Sequence, residues 1–242
     1  MILLSMTVKE IHDQLVADNP KIQIRIDKIR PKAIKEFKKA RTFPVWYIDK
    51  YKIPASGNEH IIFYYANSVA EIERPHYQSF CVVFEDNKRF VIRGLSMAYK
   101  KTPDSDAVML PQIHSYTHHF LQRYNERFLH NDKLEANEIA GLFFIRNPMP
   151  FPIKMNEGIN RNSKDYGEFN GFGVRVNDGF CFVRTGIQSV DTDNGKKEAE
   201  GMLMIYTTFV NTLDMSDNQR EAINEEIIAT LKYCDENLEK CD

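Results

Sequence analysis

Between GFGVRV and FCFVRTGI the chain carries Asn177-Asp178-Gly179, and no other feature restricts its folding as tightly. Two runs of β-branched and aromatic residues meet at an Asp-Gly pair, which supplies the positive φ of a tight hairpin turn. A hairpin is expected there. The same texture recurs from Trp46 to Met97 as WYIDKYKI, EHIIFYYAN and then SFCVVFED joined through Asn87 to KRFVIRGLSM, the last two again reading as a hairpin. MLMIYTTFVN is a further strand, set off by the polar stretch VDTDNGKKEAEG. Turn-linked strands interrupted by helical patterns predict an α+β chain, an antiparallel sheet with helices packed on it and helices at both the N-terminal and C-terminal ends.

Thr7 followed by Glu10 resembles a capping box, and Val8, Ile11, Leu15 and Val16 recur at helical spacing, so a first helix is expected from about Val8 to Ala17. KIQIRID alternates like a strand, yet Ile22, Ile26 and Ile29 also suit a helix, and its type stays open. Pro31 is expected to open a short basic helix, since proline is tolerated at a first helical position. SYTHHFLQRYNER predicts a helix capped by Ser115 or Thr117 and interrupted at Asn131 and Asp132. LEANEIAGLFFI predicts a second one ending before Asn147-Pro148. A loop rich in Pro, Asn and Gly follows from about Arg146 to Asn170, and Ser216 caps a last helix reaching about Leu238.

The length suits one large domain or two small ones, and one domain over residues 1–242 is expected, with a helical basic region at 1–45, a β-rich core with a central helix pair at 46–212 and an acidic C-terminal helix at 213–242. With 43% hydrophobic and 27% charged residues, the composition excludes a disordered chain. Cys81, Cys181, Cys234 and Cys241 form no CxxC pair and read as thiols of a reducing compartment. No apolar run approaches a membrane span and MILLSMTVKEIHDQLV lacks a basic leader region, so a cytoplasmic protein without a membrane partner is expected. Net charge is −2, but Lys21 to Arg41 is strongly basic and the stretch from Asp214 onward acidic. The basic stretch, with Phe37, Phe43, Trp46 and Tyr47 near its end, can offer RNA both phosphate contacts and base stacking. The alternative is a solvated helix face whose aromatics pack inward.

Chemistry concentrates on SYTHHFLQRYNER. On a helix advancing about 100° per residue, Tyr116, Phe120, Tyr124 and Phe128 form a core-facing stripe, while His119, Arg123 and Arg127 make a cationic row along its margin. His118 falls roughly opposite the core. Arg127 is expected to be partly desolvated and to need an anion, because an unpaired buried charge is very costly. An internal carboxylate would serve, and so would a phosphate, whose oxygens the guanidinium fork fits. On the strands, period two groups Arg184 with Phe180 and Phe182, and Tyr206 with Thr208, leaving Thr207 on the other face.

The pattern His119-x-x-x-Arg123-x-x-x-Arg127, a second helix, a loop, a hairpin with the basic strand FCFVRT and a Thr-containing strand resembles the barnase/EndoU/colicin/RelE-like (BECR) group of nuclease domains over about Thr117 to Val210. Thr117 and His119 match the start of that group's helix motif, and Arg123 and Arg127 match its spacing; Phe120 stands where the motif carries alanine. The resemblance implies a metal-independent RNase of toxin-like or mobile-element type, with RNA as substrate, an inhibitory protein partner and no cofactor or metal. His119 would act as general acid or base, since imidazole titrates near neutrality, and Arg123 and Arg127 would hold the phosphate. Arg184, Tyr206 and Thr208 would complete the site.

Two other readings stay open. The chain can be a non-catalytic binding or structural protein that keeps a nuclease-like fold. A metal protein using His114 and His118 is the weaker rival, because HSYTH lacks the glutamate of HExxH and His114 precedes the helix. No GxSxG or Walker A motif is present.

Overall fold

A computed structural model describes residues 1–100, 105–155, 172–191 and 197–238. Its frame is a sheet of nine strands: β1 (Val45–Lys52), β2 (Glu59–Ala66), β3 (His76–Glu85), β4 (Lys88–Lys100), β5 (Ala107–Thr117), β6 (Phe151–Lys154), β7 (Phe172–Val176), β8 (Gly179–Asp191) and β9 (Lys197–Asn211). Their spatial order is β1-β2-β3-β4-β5-β9-β8-β7-β6. Neighbours pair antiparallel, except β5 and β9, which run parallel from Gln112↔Met202 to Tyr116↔Tyr206. Two antiparallel meanders therefore end side by side at the centre. Helix α1 (Val8–Phe37) precedes the first meander, α2 (His118–Tyr124) and α3 (Ala136–Arg146) precede the second, and α4 (Asp217–Leu238) follows it. The chain is α+β, as the alternation of hairpin and helical patterns predicts.

Strand alternation gives the sheet two apolar faces. On the front face Phe63, Phe80, Val82, Val183 and Tyr206 meet Phe120, Tyr124 and Phe143 of α2 and α3. On the back face α1 covers Ile62 and Tyr64 with its second half and Cys81, Val83, Ile92 and Ile113 with its first. Phe180 and Phe182 continue the back face beneath Ala222 and Ile223 of α4. No helix among the described residues is long and apolar enough to cross a membrane.

Helix α1 corrects the expected breakdown of the N-terminal region. It is one helix of 30 residues with Pro20 and Pro31 inside it, capped by the predicted Thr7–Glu10 box, and not two short helices flanking a segment of uncertain type. The buried positions Val8, Ile11, Leu15, Asp18, Ile22, Ile26, Ile29, Ala33 and Phe37 explain why. They recur every three or four residues without losing phase at either proline, so burial of one stripe outweighs the two missing N–H donors.

Both predicted hairpins form. In the first, Asp86 and Asn87 adopt φ of 49° and 60°, the left-handed pair that a two-residue hairpin turn favours and that Asp and Asn tolerate. The second pairs Val176 with Gly179, but Gly179 has no positive φ. That glycine is needed for close approach instead: a Cβ on it would lie 2.2 Å from the Val210 carbonyl oxygen. Within the loop expected after Arg146, Phe151–Lys154 is strand, paired with β7; residues 156–171 and Cys241 lie outside the described residues. Cys81 and Cys181 are free and buried.

Candidate functional site

The helix carrying the histidines begins where Thr117 ends β5, and the Thr117 hydroxyl accepts from the Phe120 amide at 3.1 Å. Thr117, not Ser115, is the cap; Ser115 belongs to the strand. Phe120 and Tyr124 are buried as the stripe predicts, and both His118 and His119 are exposed. After Tyr124 the winding loosens into a π turn over Asn125–Leu129, closed by the His130 amide on the Asn125 carbonyl at 2.7 Å, with His130 at φ 51°. Widening the last turn moves Arg127 off the row that regular α geometry draws through His119 and Arg123.

Among the described residues Arg127 meets no internal carboxylate. Its Nη1 donates to the Phe209 carbonyl at 2.5 Å, while the Arg127 carbonyl accepts from Asn211 Nδ2 at 2.8 Å, so the residue clamps the end of α2 to β9. Arg123 pairs at 2.7 Å with Glu126, one turn on. His119 and Arg123 thus share the open side of α2 and Arg127 turns toward the sheet.

The strand candidates divide between the two faces. Phe182 pairs with Thr208 but Val183 with Tyr206, so Thr207 is the extra residue of a β-bulge, its hydroxyl donating to the Phe182 carbonyl at 3.1 Å. The bulge reverses the expected alternation: Tyr206 joins the front core and Thr208 lies on the back face with Phe182. Tyr206 is 1% exposed, stacked on Tyr116 and 3.0 Å from His114 Nδ1. Thr208 is buried with its hydroxyl unpartnered. Arg184 is exposed, on the back face through its pairing with Ile205. The structure therefore brings His119 and Arg123 together, and leaves Arg184, Tyr206 and Thr208 in three other environments.

His114 is a strand residue, so its spacing from His118 is not helical. Its Nε2 faces Gln112 at 3.3 Å, and burial, reinforced by Arg93, pushes its pKa down to about 4. Among the described residues, no group of three or more His, Cys, Asp or Glu side chains is placed to hold a metal ion.

The sequence places Asp178 in a hairpin turn and gives no sign of its role. Its carboxylate is buried and accepts from Tyr124 (2.6 Å), Asn147 (3.0 Å) and both Nε and Nη2 of Arg146 (2.9 Å each). The internal carboxylate–arginine pair thus exists, but with Arg146. It fixes the second hairpin to the end of α3, and burial together with Asp178 lifts the Tyr124 hydroxyl well above its usual range. In sequence the two are only an Asp in a turn and an Arg at a helix end.

Neither a family model, nor a curated protein, nor a solved structure matches the chain. Function must be read from its own surfaces.

The predicted basic stretch forms the outer side of α1. Taking Lys21 as reference, Arg25, Lys28, Lys32 and Lys35 fall within an arc of about 80°, spanning about 21 Å of axis. All but half-buried Arg25 are exposed. Arg25 is held by Asp49 at 2.7 and 2.8 Å, and Lys39, just past the helix, by Glu36 at 2.7 Å. Lys21, Lys28, Lys32 and Lys35 make no ion pair among the described residues. The expected stacking platform is absent from this ridge: Phe37 is core, Phe43 and Tyr47 pack against the α1 cluster, and Trp46 packs on the front core with its Nε1 on Glu138 at 2.8 Å.

Proposed function

We propose that the protein binds RNA through the outer face of α1 and is not itself a nuclease. The row Lys21, Lys28, Lys32 and Lys35 carries this reading: four exposed ammonium groups on one ridge, without internal anions, suit a phosphate backbone. The opposite side of the helix is consumed by the core, and the exposed apolar residues of α1, Val16 and Ile24, stand apart by about two turns, so the ridge has no continuous apolar face to insert into a lipid surface. Lacking exposed aromatics, it would recognise phosphates and not bases. The six residues of the BECR-like expectation do not converge on one surface, which is why binding without cleavage is preferred. An RNA on α1 would also lie across the sheet from α2.

Fluorescence anisotropy of a labelled mixed-sequence RNA tests this. Log affinity should fall linearly with log salt, by about 0.7 per phosphate contacted. Lys28→Glu with Lys32→Glu should weaken binding about tenfold or more and flatten that slope. Equal binding by the variant would sink the proposal.

A second reading, a metal-independent RNase of BECR type with an inhibitory partner, is favoured by exposed His119 and half-buried Arg123 one turn apart beside a π turn, a feature frequent at functional sites. Incubating the same RNA with chelator, wild type and His119→Ala discriminates. Cleavage lost in the variant would replace the binding-only reading; cleavage in both, or in neither, removes His119 chemistry.

A further inference from the structure

Beneath the inner side of α1 the sheet is split. The β3–β4 ladder runs only from Glu85↔Lys88 to Cys81↔Ile92, whereas β3 stays paired with β2 back to His76 and β4 with β5 on to Lys100. Beyond Cys81 and Ile92 the two strands part, and each keeps an edge that the other no longer covers. Neither the lysine ridge nor the α2 surface uses this fork.

Pairing parity identifies the backbone groups on those edges. Glu85 and Lys88 flank a two-residue turn, which a hydrogen-bonded pair closes, so even-numbered residues of β4 point to β3 and odd-numbered residues of β3 point to β4. Pro111 agrees: it lies opposite Ser96 and has no N–H to give, so Ser96 directs its own amide away from β5. Past the ladder, the amides and carbonyls of Tyr77 and Ser79 on one strand, and of Gly94, Ser96 and Ala98 on the other, face the fork without a ladder partner. Gly94 to Ala98 are all exposed, so the β4 edge is open to an incoming molecule. What complements a run of unpaired strand donors and acceptors is the backbone of another extended chain.

Shape and charge narrow which chain fits. At the closed end of the fork Ser79, Phe80, Ile92 and Gly94 border a recess of about 180 Å³ that α1 roofs from the back face. On the front face Phe80 packs edge-on against Phe144 of α3, ring centres 5.3 Å apart. A chain entering in the plane of the sheet cannot run on past Cys81 and Ile92, and must end there. On the open side a larger recess, about 470 Å³, lies in front of β3 between Tyr65, Gln78, Ile145 and Pro148, with room for the side chains of such a strand. Half-buried Arg93 stands at the closed end, its guanidinium over the Phe144 ring at 4.6 Å and donating to Gln78 Oε1 at 3.2 Å. No carboxylate pairs with it among the described residues, and its charge helps to lower the pKa of His114. The anion that a chain brings by ending is its terminal carboxylate, which a guanidinium fork fits.

We propose that the fork is a docking slot for the C-terminal strand of a partner protein, whose last residues extend antiparallel to β4, bond the backbone of Gly94, Ser96 and Ala98, and present the terminal carboxylate to Arg93. The stretch from Gly94 to Ala98 spans about 13 Å, enough for roughly five residues of strand. Alternate side chains of that strand face the front recess at Tyr65 and Ile145. An internal segment of a partner lacks the carboxylate and would have to pass the closed end. The slot shares no residue with the lysine ridge, so it stands or falls separately from RNA binding.

The test is fluorescence anisotropy of the full-length protein with the hexapeptide Thr-Val-Thr-Val-Thr-Val, labelled at its amino end and carrying a free carboxylate. The matched probes are the same peptide amidated and the same peptide N-methylated along its bonding edge. The acid should bind, the amide should bind about tenfold more weakly, and the N-methylated peptide should not bind. Hydrogen exchange in the complex should slow at the amides of Gly94, Ser96 and Ala98 and stay unchanged along β1, the outer edge strand. Arg93→Gln should remove the difference between acid and amide. Ser96→Pro deletes an outward amide and leaves the β5 ladder intact, so it should abolish binding with an unchanged melting point, while Ser96→Ala should bind as wild type. No binding of the acid, or equal affinity for acid and amide in wild type, overturns the proposal. So does protection at β1 instead of β4, or an acid preference that survives Arg93→Gln.

Discussion

Asp178 and His114 show how single buried polar groups set the conditions under which this fold persists. Asp178→Ala would leave Tyr124 and Asn147 without their acceptor and the Arg146 guanidinium without its partner, at an expected cost of about 3 kcal/mol. Arg146 keeps about 40% of its side chain in solvent, which holds the loss below that for a fully enclosed pair. Urea unfolding of the variant reads it directly, and a change under about 0.5 kcal/mol would deny the carboxylate its anchoring role. His114 contributes to acid sensitivity. Its folded pKa lies near 4, below the value of about 6.5 for a solvated imidazole, so the unfolded chain binds the proton first. The contribution is complete above about pH 6.5 and is lost as the pH falls toward 4, about 3 kcal/mol in all. Between pH 7 and pH 4.5 wild type should lose about 2 kcal/mol more unfolding free energy than His114→Leu. Identical pH dependence in the two proteins would refute the assignment.

At the scale of elements, close approach and helix continuity make opposite predictions about small residues. Gly179 lies against Val210 and Phe209, whereas a Cβ on Gly186, seven residues along β8, meets nothing within 4 Å. Gly179→Ala should lower stability by about 2 kcal/mol and Gly186→Ala by less than about 0.5 kcal/mol, a contrast thermal melts can resolve. In α1, Pro31 sits at an exposed position inside a helix whose buried stripe never loses phase. Pro31→Ala should therefore stabilise the protein, by about 1–3 kcal/mol, because it restores an amide donor without touching the core. A lower melting point would mean that the helix bends at the proline in a way its packing needs.

For the whole molecule the parallel β5–β9 pair is the seam. Without the second meander, β5 would be a bare edge and the front-face residues Phe63, Phe80, Val82 and Tyr116 would lose their cover. A fragment of residues 1–117 should aggregate or remain unfolded even though it contains α1 and a complete five-stranded meander. A soluble, cooperatively melting fragment would show the first half to be self-sufficient. Seams of this kind join residues far apart in sequence, so folding is expected to be slow, on the order of milliseconds to seconds, in stopped-flow refolding.

What the sequence determined by itself was local: strands from β-branched and aromatic runs, helix caps at Thr7 and Ser216, and the apolar stripe of α2. These follow from backbone periods of two and of about 3.6, which each segment carries alone. Tertiary structure decided everything that a single inserted residue or a distant partner can change. One bulged threonine put Tyr206 and Thr208 on opposite faces, one widened turn took Arg127 from the His119 row to a carbonyl 82 residues away, and the anion expected for it went to Arg146 instead. Asp18 and His60, 42 residues apart, carry no joint signal until a helix and a split sheet enclose them. Local periodicity fixes which side of an element is apolar; only packing fixes which polar atoms that burial leaves facing one another.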